Sequence, residues 1–228
     1  MSCKQDVSAH QSLGVIEPPS SPHIADPLDC IKKLRAKQRV SDKRFDQIYP
    51  DPIYRLSEMH WTPVRVARRA AELLVTHDGA RILDVGSGAG KFCLVGALTT
   101  EGVFTGVEQR DYLVAMCRDL AIRHKIEDAS FVHGNMMDMD WAHFDGFYLF
   151  NPFVENLYGD RFKIDQGVSN TWFFYEKYIR IVQRKLFRAR KDTRVVTYHG
   201  FGGDMPPGYT LVRSEPIASD KLELWVKD

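Results

Sequence analysis

In "RILDVGSGAGKF", residues 81–92, an apolar run meets three glycines at every second position, Gly86, Gly88 and Gly90, with an acid, Asp84, at its edge. A strand that ends in such a turn and opens a helix gathers free backbone N–H groups at the carboxyl edge of a parallel sheet, where open α/β folds bind ligands. Three ligand classes use turns of this kind. A triphosphate site, GxxxxGK[ST], has its Gly90-Lys91 here, but Val85 stands where the first glycine is needed and Phe92 replaces the magnesium-holding hydroxyl. A dinucleotide fingerprint, GxGxxG, finds Lys91 in place of the third glycine, which leaves a nicotinamide dehydrogenase as the weaker alternative. The third class is a nucleoside without phosphates. An ionised carboxylate only accepts hydrogen bonds and can take both hydroxyls of a ribose; Glu108, one strand–helix–strand unit further on, is where an open sheet presents one.

These residues need a sheet to hold them. From Arg81 the chain alternates short apolar runs with helical periods: "RILDV", "GVFTGVE", "ASFVHG", "FDGFYLFN" and "TRVVTYHG" read as strands, "KFCLVGALTT", "YLVAMCRDLAIRH" and "TWFFYEKYIRIVQRKLFRAR" as helices. Such alternation predicts an α/β fold, a doubly wound, mostly parallel seven-stranded sheet with helices on both faces. "YTLVRSEPI" and "KLELWVKD" are separated by too few residues for a crossover, so they predict an antiparallel hairpin at the sheet edge, with an antiparallel C-terminal strand. Upstream, Thr62 reads as an N-cap with Pro63 at the first helical position. Residues 28–57 read as a basic helical extension, opened by an amphipathic helix over Leu28–Arg44. Residues 1–27, with "EPPSSP", carry too little apolar surface to order themselves and read as a flexible tail. The remaining residues, 58–228, form one catalytic-sized domain.

With 228 residues, 44% hydrophobic, and a net charge of +1, the chain has the composition of a globular domain and no whole-molecule field to draw it onto a polyanion. Its four cysteines, at 3, 30, 93 and 117, form no CxxC pair, and its eight histidines show no HExxH spacing, so neither a metal site nor a disulfide framework is expected. No apolar run is long enough to span a membrane, and the expected location is cytoplasmic.

"LDVGSGAGKF" resembles the first motif of class I S-adenosylmethionine-dependent methyltransferases, hydrophobic-D/E-x-G-x-G-x-G. The resemblance continues through "GVEQRDYLVAMCRDLA" and "FVHGNMMDMDW", and through "YLFNPF", which is similar to the Asn/Asp-Pro-Pro-aromatic motif of enzymes that methylate amino groups. It covers roughly residues 58–228, with the motifs in family order. It implies S-adenosyl-L-methionine as cofactor, held by Gly86, Ser87, Gly88 and Gly90. It also implies Asp84 at the methionine end, Glu108 at the ribose, and Asn135 and Met136 beside the adenine. Thr62, opening a helix upstream, resembles a threonine that reaches the methionine carboxylate in some amino-methylating enzymes.

The implied reaction is an in-line methyl transfer, in which Asn151 and nearby carbonyls of the Asn151-Pro152-Phe153 motif accept hydrogen bonds from a target amine. Phe153 would stack on a planar substrate, and Trp61 and Phe153 would flank the methyl, where an aromatic face attracts a sulfonium. The motif has one proline where the family often has two. The acceptor is open between nucleic acid, protein and small molecule. A nucleic acid would be met by two basic stripes, one over residues 32–44 and one over 180–194, if both lie on the rim around Asn151. A cofactor-binding but inactive scaffold is the reading outside catalysis.

Overall fold

The computed structural model describes residues 27–157, 164–165 and 172–228; the tail expected over 1–27 lies outside them except for Pro27, which opens the first helix. The strands are β1 (Arg81–Val85), β2 (Val103–Glu108), β3 (Ala129–His133), β4 (Gly146–Phe150), β5 (Arg194–Tyr198), β6 (Tyr209–Ile217) and β7 (Asp220–Lys227). They form one sheet in the order β3-β2-β1-β4-β5-β7-β6. The first five are parallel, and β7 runs antiparallel between β5 and β6. The expected C-terminal hairpin is there, with its second strand inserted inward, so β6 becomes the edge and carries a bulge between Leu211 and Arg213. The strand order reverses between β1 and β4. Such a switch opens a crevice at the carboxyl ends of the strands.

Successive residues of β1 feed opposite cores. Ile82 joins Phe104, Tyr148 and Val196 on one face, under α1 (Pro27–Arg35), α5 (Val64–Leu74), α6 (Lys91–Thr99) and α7 (Asp111–Arg123); Leu83 and Val85 join Phe147, Leu149 and Val195 on the other, under α8 (Trp172–Phe187). Because α6 is buried on every side, its residues are apolar all round, and Gly96 lets it sit against the Phe104 ring, where a Cβ would come within 2.5 Å. No helix links β3 to β4 among the described residues; Trp141, stacked on Phe147 at 4.6 Å, covers that stretch instead.

The expected helix over Leu28–Arg44 is shorter. α1 stops at Arg35 in a Schellman turn, with Gln38 N–H bonded to the Lys33 carbonyl, Lys37 N–H bonded to the Leu34 carbonyl, and Lys37 at φ 55°. Short helices follow: α2 (Asp42–Phe45), α3 (Asp51–Tyr54) and α4 (Ser57–His60). This extension is part of the main core, since Cys30, Ile31, Leu34, Phe45, Ile48 and Ile53 are buried with the sheet. Thr62 does not cap α5. Pro63 takes the N-cap position with ψ 142°, and the Val64 N–H is satisfied by Asp42 Oδ1 at 2.7 Å, a side chain from α2.

One buried ion cluster fixes the extension. Lys91, at the start of α6, places its Nζ 2.7 Å from both Asp42 and Asp46 and 3.4 Å from Ser57 Oγ. Lys91 and Asp46 are almost wholly buried, and burial raises the Asp46 carboxyl above its ordinary range against the pull of Lys91. Removing one member of such a pair leaves an uncompensated buried charge. Lys91→Met should therefore lower unfolding stability in urea by about 3 kcal/mol, and the double change with Asp46→Leu should recover most of it. A loss below about 1 kcal/mol in the single variant would show that the cluster does not hold the extension.

Candidate active site

The chain folds a turn between β1 and α6 that only glycine tolerates: Gly86, Gly88 and Gly90 have φ of 77°, 51° and 71°. What the missing side chains admit is protein. A Cβ on Gly88 would lie 2.5 Å from the Trp61 ring, one on Gly90 2.5 Å from the Phe131 ring, and one on Gly86 3.1 Å from Pro152. The turn is thus pinned to β2, through Gly86 and Ser87 N–H bonds to the Val107 carbonyl, while Trp61 and Pro152 close over it. Ser87 Oγ is buried without a hydrogen-bond partner.

Two acids meet this turn in different electrostatic states. Glu108, the last residue of β2 and 6% exposed, accepts from Gly88 N–H at 3.1 Å through Oε2. Its Oε1 accepts from the Arg110 backbone N–H at 3.0 Å and the Arg110 guanidinium at 3.3 Å. Asp84, 4% exposed, sits on β1 between Gly106 and Tyr148, and its one hydrogen bond among the described residues is a weak one from the Cys93 thiol at 3.6 Å. Burial without a cationic partner pushes Asp84 up to about 7, with the Glu108 charge adding to the effect.

A cavity of about 260 Å³ opens over the carboxyl ends of β1, β2, β4 and β5, with Glu108, Gln109, Gly134 and Met136 on one side and Phe150, Asn151, Pro152 and Phe153 on the other. Behind it lies a pocket of about 40 Å³ that reaches Asp84, Thr62, Ser87 and Lys91. Thr62 Oγ1 shares a 3.2 Å hydrogen bond with the buried Tyr148 hydroxyl, which stacks on Phe92. Trp61 is anchored by its Nε1–H to the Ile53 carbonyl at 3.0 Å and lines both spaces.

On the far side, β4 ends at Phe150, and Asn151 is the first residue beyond it, at φ 37°. Its N–H donates to the Gly200 carbonyl at 2.9 Å, tying the loop after β4 to the loop after β5, and its side-chain amide has no hydrogen-bond partner among the described residues. Phe153 lines the cavity, 5% exposed, with its ring stacked on Tyr178 at 5.0 Å; Phe150, half-buried, lines it as well, tilted against Tyr198 at 5.1 Å and His199 at 5.7 Å. Asn135 also differs in role. Its amide donates to Gln109 Oε1 and Tyr178 Oη and accepts from Met137 N–H, so it shapes the turn that presents Met136.

The sequence reading passed over Arg110. Its guanidinium, 8% exposed, reaches Glu108, Glu155 at 2.7 Å and Asp165 at 3.0 Å, joining the end of β2 to the chain beyond Phe153. His60 and His199, which the sequence reads as surface or hydrogen-bonded residues, line the cavity. The only signal for Arg110 was its place two residues after a strand-ending acid. The two basic stripes are not brought together: α1 and α8 lie on opposite faces of the sheet. Arg35 caps the C-terminal carbonyls of α7, at His124 and Lys125. Among the described residues no His, Cys, Asp and Glu cluster could hold a metal, and no helix is long and apolar enough to cross a membrane.

Residues 76–189 match a family described as a methyltransferase domain. The chain is 30% identical over 169 residues to 24-methylenesterol C-methyltransferase 2 of Oryza sativa subsp. japonica, covering 68% of this chain and 44% of that one, so it spans less than half the length of that curated relative. Among solved structures, an RNA methyltransferase from Salinibacter ruber in complex with S-adenosyl-L-homocysteine superposes with a TM-score of 0.54 at 21% identity, over 73% of this chain and 92% of its own. TrmN from Thermus thermophilus gives 0.56 at 14%, over 77% and 52%. The family match ends the dehydrogenase alternative, and the sheet order with its glycine turn and two acids agrees with it: the chain belongs to the class I methyltransferases, whose methyl donor is S-adenosylmethionine.

Proposed function

We propose that the protein transfers a methyl group from S-adenosylmethionine to an amino nitrogen of its substrate. The observation that carries this reading is the pair of buried acids in two adjoining spaces, Glu108 in the outer cavity and Asp84 in the inner pocket, with His60, Trp61, Gly86, Gly88 and Phe150 lining both. Glu108 offers a charged acceptor for ribose hydroxyls, and Asp84 offers a buried carboxylate short of a cation, which an α-ammonium would supply. The residues present fit the cofactor. Met136 supplies an apolar wall for adenine, the unpartnered Ser87 hydroxyl and Thr62 border the inner pocket, and Trp61 offers an aromatic surface to a positively charged sulfur. When bound, S-adenosylmethionine supplies a methyl group activated by that charge.

The chain's own work is then positioning and exclusion of water. Asn151, at φ 37° and bonded through its N–H to Gly200, lines the cavity with a side-chain amide that has no partner among the described residues, and its Oδ1 can accept from an amine so that the nitrogen lone pair points toward the donor. Pro152 sits on Gly86 and so sets the depth of that amide relative to the glycine turn.

Calorimetry should show binding of S-adenosylhomocysteine with no comparable binding of NAD or ATP; the reverse result would overturn the reading. An ammonium beside Asp84 stabilises its charged form, so binding below pH about 7 must expel the proton that Asp84 carries. Affinity should thus fall, by up to about tenfold per pH unit, as pH drops below 7, and Asp84→Asn should bind weakly with that slope abolished. A slope unchanged in the variant would remove Asp84 from the site.

Glu108→Ala should weaken binding by about ten- to a hundredfold, because the ribose loses charged acceptors worth about 1.5–3 kcal/mol each, in part replaced by water. Asn151→Ala should keep S-adenosylhomocysteine affinity within about threefold, yet lower transfer of labelled methyl groups into fractionated RNA, protein or small-molecule extracts by about a hundredfold. Equal labelling by variant and parent would take the amine-aligning role from Asn151.

A further inference from the structure

Resting on that reading, the structure assigns His60 as the base that takes the acceptor's proton during transfer. A ligand that reaches both Glu108 in the outer cavity and Asp84 in the inner pocket must pass the wall the two spaces share. His60, Trp61, Gly86, Gly88 and Phe150 line both, and among them His60 alone can exchange a proton near neutral pH. The methyl of the donor is attached between its ribose and its amino-acid arm, so a donor held by both Glu108 and Asp84 would present it near this wall.

The imidazole of His60 is half-buried and tilted beside Trp61, with 5.8 Å between ring centroids, and makes no hydrogen bond among the described residues. A polar ring left free in a reacting cavity is available to substrate. Its surroundings keep it neutral: burial first, then the Arg110 charge, hold its pKa below the ordinary value of 6.5. The other charged or titratable groups around these spaces are Glu108 and Arg110 at the end of β2, Asp84 on β1, Lys91 on α6, Glu155 after β4, Tyr178 on α8 and His199 after β5. Lys91 is paired with Asp42 and Asp46; His199 is turned to the β6–β7 hairpin, with Nδ1 2.9 Å from Asp220 and Nε2 3.1 Å from Ser219 Oγ. Neither ring nitrogen of His199 is free, which separates it from His60.

The step balances. The acceptor nitrogen forms its bond to the methyl as the sulfur–methyl bond breaks, sulfur keeping that electron pair, and the proton displaced from nitrogen passes to the His60 lone pair. The positive charge that leaves sulfur ends on the imidazole.

The test uses the full chain with ring-labelled histidine and two ligands: S-adenosylhomocysteine, and its analogue in which an amino-bearing carbon replaces the sulfur. The analogue puts a cation where the methyl would be. His60 resonances, assigned with His60→Gln, should shift with the analogue beyond their shift with S-adenosylhomocysteine, and the His60 titration midpoint should fall by about one unit further. His60→Gln should bind S-adenosylhomocysteine within about threefold of the parent. At saturating S-adenosylmethionine it should transfer labelled methyl at about a hundredth of the parent rate into the same extract fraction, and lose the parent's decline in that saturated rate below pH 6.5. An analogue that binds without moving His60, or a variant with the parent's rate and pH profile, overturns the assignment alone. A parent that fails to bind S-adenosylhomocysteine, or binds it yet labels no fraction, overturns the methyltransferase reading and this assignment with it.

Discussion

The ammonium of Lys91 lies where water cannot reach it, and the position of the cofactor-side wall follows from how the chain solves that problem. Charge taken out of water must be answered by charge at close range, and Asp42 and Asp46 provide it from the N-terminal extension. Lys91 is also the first residue of the helix that the glycine turn opens. One ion cluster therefore locks residues 42–57 to the turn. The same Asp42 oxygen accepts the Val64 N–H, so it fixes the start of α5 as well. His60, Trp61 and Thr62 lie between those two anchored points and have little freedom except to face the turn. Had Lys91 pointed toward the cavity, as in a phosphate-binding loop, it would have opposed a cationic ligand; its pairing with Asp42 and Asp46 answers that charge instead.

Asp84 is the opposite case, a buried charge left nearly unanswered. Its folded pKa near 7 lies well above the value for a free carboxyl, so the contribution of this group to stability is fully present below the unfolded pKa of about 3.8 and is lost as pH rises through 7. An ammonium placed beside Asp84 would answer that buried charge. Glu108, at the end of β2, accepts hydrogen bonds from Gly88 and Arg110. On the proposed reading the site separates two tasks, with Glu108 held in place for hydroxyls and Asp84 short of a cation. A ligand that offers both is favoured over one that offers either.

The parts legible in the sequence were those set by local rules. The alternation of apolar runs and helical periods named the strands, and the glycines marked a turn that needs positive φ. Glu108 followed from its spacing. Other features are products of packing between distant residues, and a one-dimensional pattern does not carry them. Thr62-Pro63 has the form of a cap and first turn, yet the cap comes from Asp42, twenty residues earlier in the chain. The basic run over 32–44 reads as one amphipathic helix, but its apolar spacing ends at Leu34, and Lys37 turns the chain into a left-handed cap. Arg35 and Arg110, read as surface charge or passed over, are held by carbonyls and carboxylates from other elements. A single histidine has no spacing to be recognised by, and His60 gains meaning only once Glu108 and Asp84 are seen on either side of it.

The glycine turn joins these threads. Its absent side chains are filled by Trp61 from the extension, Phe131 from β3 and Pro152 from the loop after β4, so three separate stretches of chain pack onto one backbone hairpin. Any of them that moved would shift against the same atoms. The donor side and the acceptor side of the cavity therefore share a reference: Trp61 and Pro152 stand over Gly88 and Gly86, two residues apart. In-line transfer demands sub-ångström agreement between the group that presents the methyl and the group that aims the nucleophile. Packing both against alternate glycines of one turn fixes them against backbone, the least compliant part of the fold.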